Sequence, residues 1–346
     1  MKHLIAVFLL LFSFSFCSSN NDAEDERNKL ITTWFLAQNN TSIANEYSKV
    51  FYMNSSFISV KNYDLYFTQA TTENVTSSTN KKFIIIHGWQ SSDRNVNSIP
   101  NAQSLKTRLV ETIWSDLFAT DFLTGIIAKG YDVYFYTYLT SDNISSNATR
   151  FKSQLETLFG SQTNNVVIYA HSMGGLVTRG ALYEFSSTPS SILRILTAGT
   201  PYHGSPWANS QFQDTSGVLG DLATFFTSSN GGKDLAYDNY DNTLSGASNS
   251  YLTTMNSKSG RDNLIYAYYG SLDSSASNYA GSDSTLTPAC SSLGSTFANS
   301  DCIVPVRSAI GTNLIFGKTL SLGGYHHTDI NLRNSTIRGT ILTDIP

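Results

Sequence analysis

The chain has 346 residues, 40% of them hydrophobic, and a formal net charge of -4. That length allows one large domain or two ordinary ones, with a sizeable core. The one adjacent lysine pair in the body is Lys81-Lys82, so there is no basic patch to argue for a nucleic-acid partner.

The first segment reads as a targeting signal. Lys2 and His3 precede an apolar run from Leu4 to Phe16, and polar Ser18-Ser19-Asn20-Asn21 follows. The run is shorter than the roughly 20 residues that a membrane-spanning helix needs, but it fits the core of a secretory signal. Cleavage after Ser19 is expected, which makes the protein secreted or extracytoplasmic. Cys17 offers an alternative, a lipid-anchored protein with a polar tether, although Phe16 departs from the small residue expected before such a cysteine.

Residues 20–52 form a polar extension. Within it Leu30, Ile31, Trp34 and Phe35 recur at three-to-four spacing and predict a helix over Glu24 to Gln38. Phe57 to Thr68 reads as a strand pair around Lys61-Asn62, and Thr71 to Asn80 as a polar loop. Phe83-Ile-Ile-Ile-His-Gly-Trp89 is a strand apolar on both sides, as in a parallel sheet, closed by His87-Gly88. Ala102 to Lys129 reads as helical with a break near Thr120. Tyr131 to Tyr138 is a strand, and Ser145 to Phe159 a helix with Phe151, Leu155, Leu158 and Phe159 on one face.

Val166 to Tyr169 is the next strand. It stops at Ala170-His-Ser-Met-Gly174, and a helix-like run follows from Gly175 to Phe185. Strand, sharp turn and helix around a serine is the setting of a nucleophile elbow. The small residues two before and two after Ser172 are Ala170 and Gly174; Ala stands where the strict pattern has Gly. Ile192 to Ala198 follows as a strand. Alternating strand and helix predicts an α/β fold with a mostly parallel sheet and helices on both faces.

Gly199-Thr-Pro-Tyr-His-Gly-Ser205 comes next. Together with His87-Gly88 and Ala170-His-Ser-Met-Gly174, it resembles the bacterial true-lipase branch of the α/β-hydrolase fold, over roughly residues 80 to 210 and again near the end of the chain. The resemblance implies a serine hydrolase acting on lipidic or small esters, with possible contact at a lipid surface. It implies Ser172 as nucleophile, and oxyanion donors on the backbone N–H groups of Trp89 and Met173. His203 belongs to the motif as a structural residue.

The remainder is read on that frame. Residues 207–262 are rich in Gly, Ser, Asn and Asp, with Val218, Leu219, Leu222, Phe225 and Phe226 at helical spacing. The family carries a lid or cap here; a helix covering the core edge has the same composition. Asn263 to Gly270 is a strand and Leu272 to Asn299 a long polar loop. It leads to Ser300-Asp301-Cys-Ile-Val304, which resembles the acid loop of lipases. Asp301 is taken as the acid, with Asp273 as the rival. Leu314 to Leu322 is the last strand, and Gly323-Gly-Tyr-His-His-Thr-Asp-Ile330 follows. The order Ser, Asp, His is that of the fold. His327-Thr-Asp329 fits the lipase pattern His-x-Asp, so His327 is chosen over His326.

In some relatives the acidic residue after this histidine binds a structural Ca²⁺. Asp329 matches that position, but Arg333 stands where an amide ligand belongs, so no cofactor or metal is required. Seven Asn-x-Ser/Thr sequons, Asn74 and Asn334 among them, follow from a composition rich in those residues. Cys290 and Cys302 are the two cysteines left after Cys17, and in an oxidising compartment they are expected to pair.

The expected organisation is a signal peptide over 1–19, an extension over 20–52, and a hydrolase domain over 53–346 with its insertion near 207–262. The expected activity is carboxylic-ester hydrolysis, of the lipase kind. A phospholipase, GPI-anchor deacylase or acyltransferase on the same three residues, a short-chain esterase, and a non-catalytic binding protein are the alternatives.

Overall fold

The computed structural model describes residues 44–53, 67–90, 121–209, 226, 229–294 and 296–346. All of these but Ala44 belong to one compact unit, Asn45–Pro346. The signal reading of 1–19, the helix over Glu24 to Gln38, the Lys61-Asn62 turn, the first part of the Ala102 helix, and Val218, Leu219, Leu222 and Phe225 lie outside the described residues.

In chain order the elements are strands β1 (Lys49–Met53) and β2 (Phe67–Gln69), helix α1 (Thr72–Ser77), β3 (Lys81–Ile86), α2 (Asp121–Ala128), β4 (Tyr131–Thr137) and α3 (Ile144–Phe159). Then come β5 (Val166–His171), α4 (Met173–Glu184), β6 (Ile192–Ala198), α5 (Asn230–Lys233), α6 (Ser250–Asn256), β7 (Ile265–Tyr269) and β8 (Leu272–Asp273). The last are α7 (Thr287–Gly294), β9 (Asn299–Ser300), α8 (Val306–Ala309), β10 (Lys318–Ser321) and α9 (Ser335–Thr343).

Eight strands form one sheet in the order β10-β7-β6-β5-β3-β4-β1-β2. The run from β10 to β4 is parallel, and β1 and β2 add antiparallel at the edge. Successive residues of a strand point to opposite faces, and both faces are covered. Ile84, Ile86, Ile168 and Ala170 pack with Phe151 and Leu155 of α3 and Leu176 and Val177 of α4. Phe83, Ile85, Val167 and Tyr169 pack with Phe122 and Ile126 of α2 and Ile337 and Ile341 of α9. Double burial is why β3 and β5 read as unbroken apolar runs.

Three expectations change. Thr71 to Asn80 is no loop: α1 is a short helix closed by a capping box, in which Thr71 Oγ1 accepts from Asn74 N–H and Asn74 Oδ1 accepts from Thr71 N–H. Val75 alone is buried there, too little apolar signal for a helical period. Lys49–Met53, read as polar extension, is a sheet strand paired with β4, its Val50, Phe51 and Met53 buried. The long loop from Leu272 contains α7 and the ribbon β8-β9. Within the insertion, Leu235, Tyr237 and Leu252 are buried in the same cluster as β5, so these described residues are part of the body.

Candidate active site

Apart from Asp301, which follows β9 of the separate β8-β9 ribbon, the segments singled out for chemistry leave the main sheet at the carboxyl end of a strand, where open parallel sheets present their ligands. His87-Gly88-Trp89 follows β3, Ser172 follows β5, Gly199 follows β6, and the histidine segment follows β10.

Ser172 has φ 53° and ψ -127°, backbone space that a residue with a Cβ rarely enters. Its N–H donates to Ala198 O at 2.8 Å, and its carbonyl accepts from Gly175 N–H at 2.9 Å, so the strained turn is held on both sides. Gly174 is required by packing: a Cβ there would lie 2.5 Å from His87 O. The same close approach puts the β3 end against the serine, since a Cβ on Gly88 would lie 2.9 Å from Ser172 Cβ. Of the expected oxyanion donors, Trp89 follows Gly88 beyond the end of β3, and Met173 follows Ser172 as the first residue of α4. The N–H groups of a first helical turn have no partner inside the helix.

His327 Nε2 lies 2.9 Å from Ser172 Oγ, and His327 Nδ1 lies 2.7 Å from Asp301 Oδ2. A carboxylate only accepts, so Nδ1 carries the proton and Nε2 is left to accept from the serine hydroxyl. Asp301 is held by its surroundings. Its Oδ1 accepts Ile303 N–H at 3.0 Å and Val304 N–H at 2.7 Å, its N–H donates to Val304 O at 3.1 Å, and its own carbonyl accepts His327 N–H at 2.9 Å. The carboxylate is almost fully buried. Thus Ser172, Asp301 and His327, 26 and 155 positions apart along the two hydrogen bonds, form one connected chain.

The two rival residues are engaged elsewhere. Asp273 is half-buried, and its carboxylate accepts from the hydroxyls of Ser277 (2.5 Å) and Ser275 (2.7 Å) and from their N–H groups (3.0 and 2.9 Å); these bonds, the Ser277 hydroxyl first, hold its carboxyl pKa down to about 2. His326 is buried, with Nε2 on Asp283 O and 3.1 Å from Tyr279 Oη, and Nδ1 3.1 Å from Asp329 Oδ2. It ties the loop after β8 to the histidine segment. His203 joins Asp238 Oδ2 at 2.9 Å and Thr312 O at 2.8 Å, a structural clamp. A calcium ion at Asp329 does not fit. The ion takes six or more oxygens, and this carboxylate faces an imidazole and accepts His326 N–H at 3.3 Å. Among the described residues no group of three His, Cys, Asp or Glu is placed to hold a metal.

The Gly199–Ser205 segment is laced to the acid loop. Ser205 Oγ donates to Ile303 O at 2.6 Å, Trp207 Nε1 donates to Cys302 O at 3.0 Å, and His203 N–H donates to Ser308 Oγ at 3.0 Å. Cys290 and Cys302 form a disulfide, which joins α7 to the residue after Asp301. Closing a loop of this length stabilises by about 3 kcal/mol in the chain-entropy description. Both cysteines are buried. A non-reduced digest of the protein is expected to yield one peptide pair linked through Cys290 and Cys302. Recovery of two alkylated thiols from active protein would contradict it.

Sequence reasoning missed the contact of His171 with His327 and the role of His326. No local pattern signals either, because both depend on which strand ends meet.

These features define the class: an α/β-hydrolase fold with a serine at a nucleophile elbow, in reach of a histidine and an aspartate. The chain matches the PGAP1-like alpha/beta domain over residues 77–287, well over half its length, and belongs to that family. Among solved structures it is similar to a lipase of Bacillus licheniformis in mature form, at 18% identity and TM-score 0.52, with 76% of this chain and 92% of that one covered. The propeptide form of that lipase matches at 18% identity and TM-score 0.50, covering 77% and 51%. A metagenomic carboxyl esterase matches at 15% identity and TM-score 0.47, covering 73% and 66%. At these identities the likeness is one of fold. No curated protein matches the chain.

Proposed function

We propose that the protein is an exported serine hydrolase that cleaves carboxylic esters, of the lipase kind, through an acyl-enzyme. The observation that carries this reading is the hydrogen-bonded chain from Ser172 Oγ to His327 (2.9 Å) to Asp301 (2.7 Å) at a strained elbow. In it Ser172 attacks the ester carbonyl while His327 Nε2 takes the hydroxyl proton. Asp301 keeps the imidazole in the required tautomer and stabilises the imidazolium. The tetrahedral oxyanion is held by the Trp89 and Met173 N–H groups, donors already fixed by a strand end and a helix start. His327 then gives its proton to the leaving alcohol, and water repeats the sequence on the acyl-enzyme. Phe226, packed 5.0 Å from the Trp89 ring, supplies an apolar wall beside the proposed oxyanion donors, which suits a lipidic ester.

The test is a rate profile over esters of increasing acyl length, below and above each substrate's solubility limit. A lipase is expected to hydrolyse long-chain esters and to gain rate once the substrate forms an interface. Activity confined to soluble short-chain esters would make it an esterase. No ester turnover, together with no labelling of Ser172 by a phosphonate, would reject the hydrolase reading.

A further inference from the structure

His171 takes no part in the proton transfers above, yet it is buried against the base. It is the last residue of β5, immediately before Ser172. Its Nε2 lies 3.1 Å from the main-chain carbonyl of His327, and the two rings are 4.8 Å apart between centroids. A carbonyl oxygen only accepts, so Nε2 must carry the proton. Burial first, and then the neighbouring His327, hold the pKa of His171 well below the ordinary 6.5; the bond to the His327 carbonyl opposes them, and Arg333 and His87 add to the lowering. The ring is therefore a neutral donor at working pH.

This contact completes the anchoring of the base. The His327 N–H donates to Asp301 O at 2.9 Å, and its carbonyl accepts from His171, so both polar groups of its peptide backbone are held. The ring is then placed by Asp301 on one nitrogen and Ser172 on the other. His171 and Ser172 are consecutive, so the strand end that carries the nucleophile also grips the backbone that carries the base. The segments meet from 155 residues apart; Tyr169 of β5 also donates to Ile330 O at 3.3 Å, and the His171 bond is the tie that acts at His327 itself.

We propose that His171 is a positioning residue, whose Nε2–H bond to the His327 carbonyl keeps the base in register with the nucleophile on the same strand end. The proposal rests on the reading of Ser172 and His327 as nucleophile and base. A neutral donor suits the task, since imidazolium forms on His327 during attack and a second cation beside it would oppose that charge. A donor is needed rather than mere ring volume, because the contact that fixes His327 is a directed bond to its carbonyl.

The experiment compares wild type, His171→Phe and His171→Gln on a soluble short-chain ester, with kcat and KM determined separately and folding checked by circular dichroism and melting. Phe keeps the aromatic volume and removes the donor; Gln sets an amide N–H close to the imidazole Nε2. Since a misplacement of about 1 Å can cost about 10²-fold, His171→Phe is expected to lose about 30-fold in kcat with KM nearly unchanged, and His171→Gln to recover most of that loss. Folded His171→Phe with wild-type kcat would overturn the proposal. So would equal losses in the two variants, or a loss carried by KM alone. If His171→Phe does not fold, His171→Asn replaces it: its shorter amide does not reach the carbonyl, and equal rates for Asn and Gln would overturn the positioning role. A wild-type protein without ester turnover would remove the hydrolase reading itself, whereas an active wild type with indifferent His171 variants would remove only the role of His171.

Discussion

Ser172→Ala is expected to lower ester turnover by about 10⁴-fold or more while the fold persists. The hydroxyl is the one group in the connected chain that would form the proposed acyl-enzyme, and the proposed oxyanion donors alone would retain only a small residue of rate. The variant keeps the Cβ and therefore the unfavourable φ of 53° at this position. Its melting temperature should accordingly stay at the wild-type value. Ser172→Gly removes the Cβ as well, and should stabilise the protein by up to about 1–3 kcal/mol, the usual range for such backbone strain. Kinetics on a chromogenic ester and a thermal melt of both variants check the two halves. Full activity in Ser172→Ala would remove the whole assignment, whichever way the stabilities fall.

His327→Ala is expected to be nearly as damaging as Ser172→Ala, with a loss of about 10⁴-fold in kcat, because members of such a unit fail together. The neighbouring substitution separates catalysis from support. His326→Ala removes the part-buried bonds to Asp283, Tyr279 and Asp329. Losing them should cost about 1–3 kcal/mol of stability, with kcat of the folded protein within about tenfold of wild type. The paired result, one variant inactive and stable, the other active and less stable, is the expected one. A reversal, with His326→Ala inactive and His327→Ala active, would make His326 the base and shift the match to the lipase end motif by one residue.

Much of this architecture was readable in the chain. Apolar runs such as Phe83 to Ile86 and Val166 to Tyr169 can be buried only between two layers, and their alternation with amphipathic helices predicts a parallel sheet covered on both sides. The serine at a strand-turn-helix junction, flanked by Ala170 and Gly174, is a local pattern, because the strain and close approach that it requires are met by adjacent residues. The choice of Asp301 over Asp273 and of His327 over His326 could be made only from their resemblance to a family motif. What sets each pair apart is where the carboxylate or imidazole points after the strands assemble: Asp273 turns back on its own serines, while Asp301 is fixed by Ile303 and Val304 and reaches His327.

The sequence by itself determined the layered α/β fold, the elbow and the order in which the chemical groups occur, since each is encoded in periodicity or in contiguous residues. It did not show β1 as a strand, α1 as a helix, or α9 as the element that covers one face of the sheet with α2. Those elements are short or weakly patterned and owe their form to neighbours distant in the chain. Tertiary structure alone decided the rest: that β5 delivers His171 to the backbone of His327, that His326 holds the loop after β8, and that the insertion's Leu235, Tyr237 and Leu252 join the core. The reason is physical. Hydrogen bonds between groups some 155 residues apart leave no trace in local composition, and exist only once the carboxyl ends of the strands have been brought side by side.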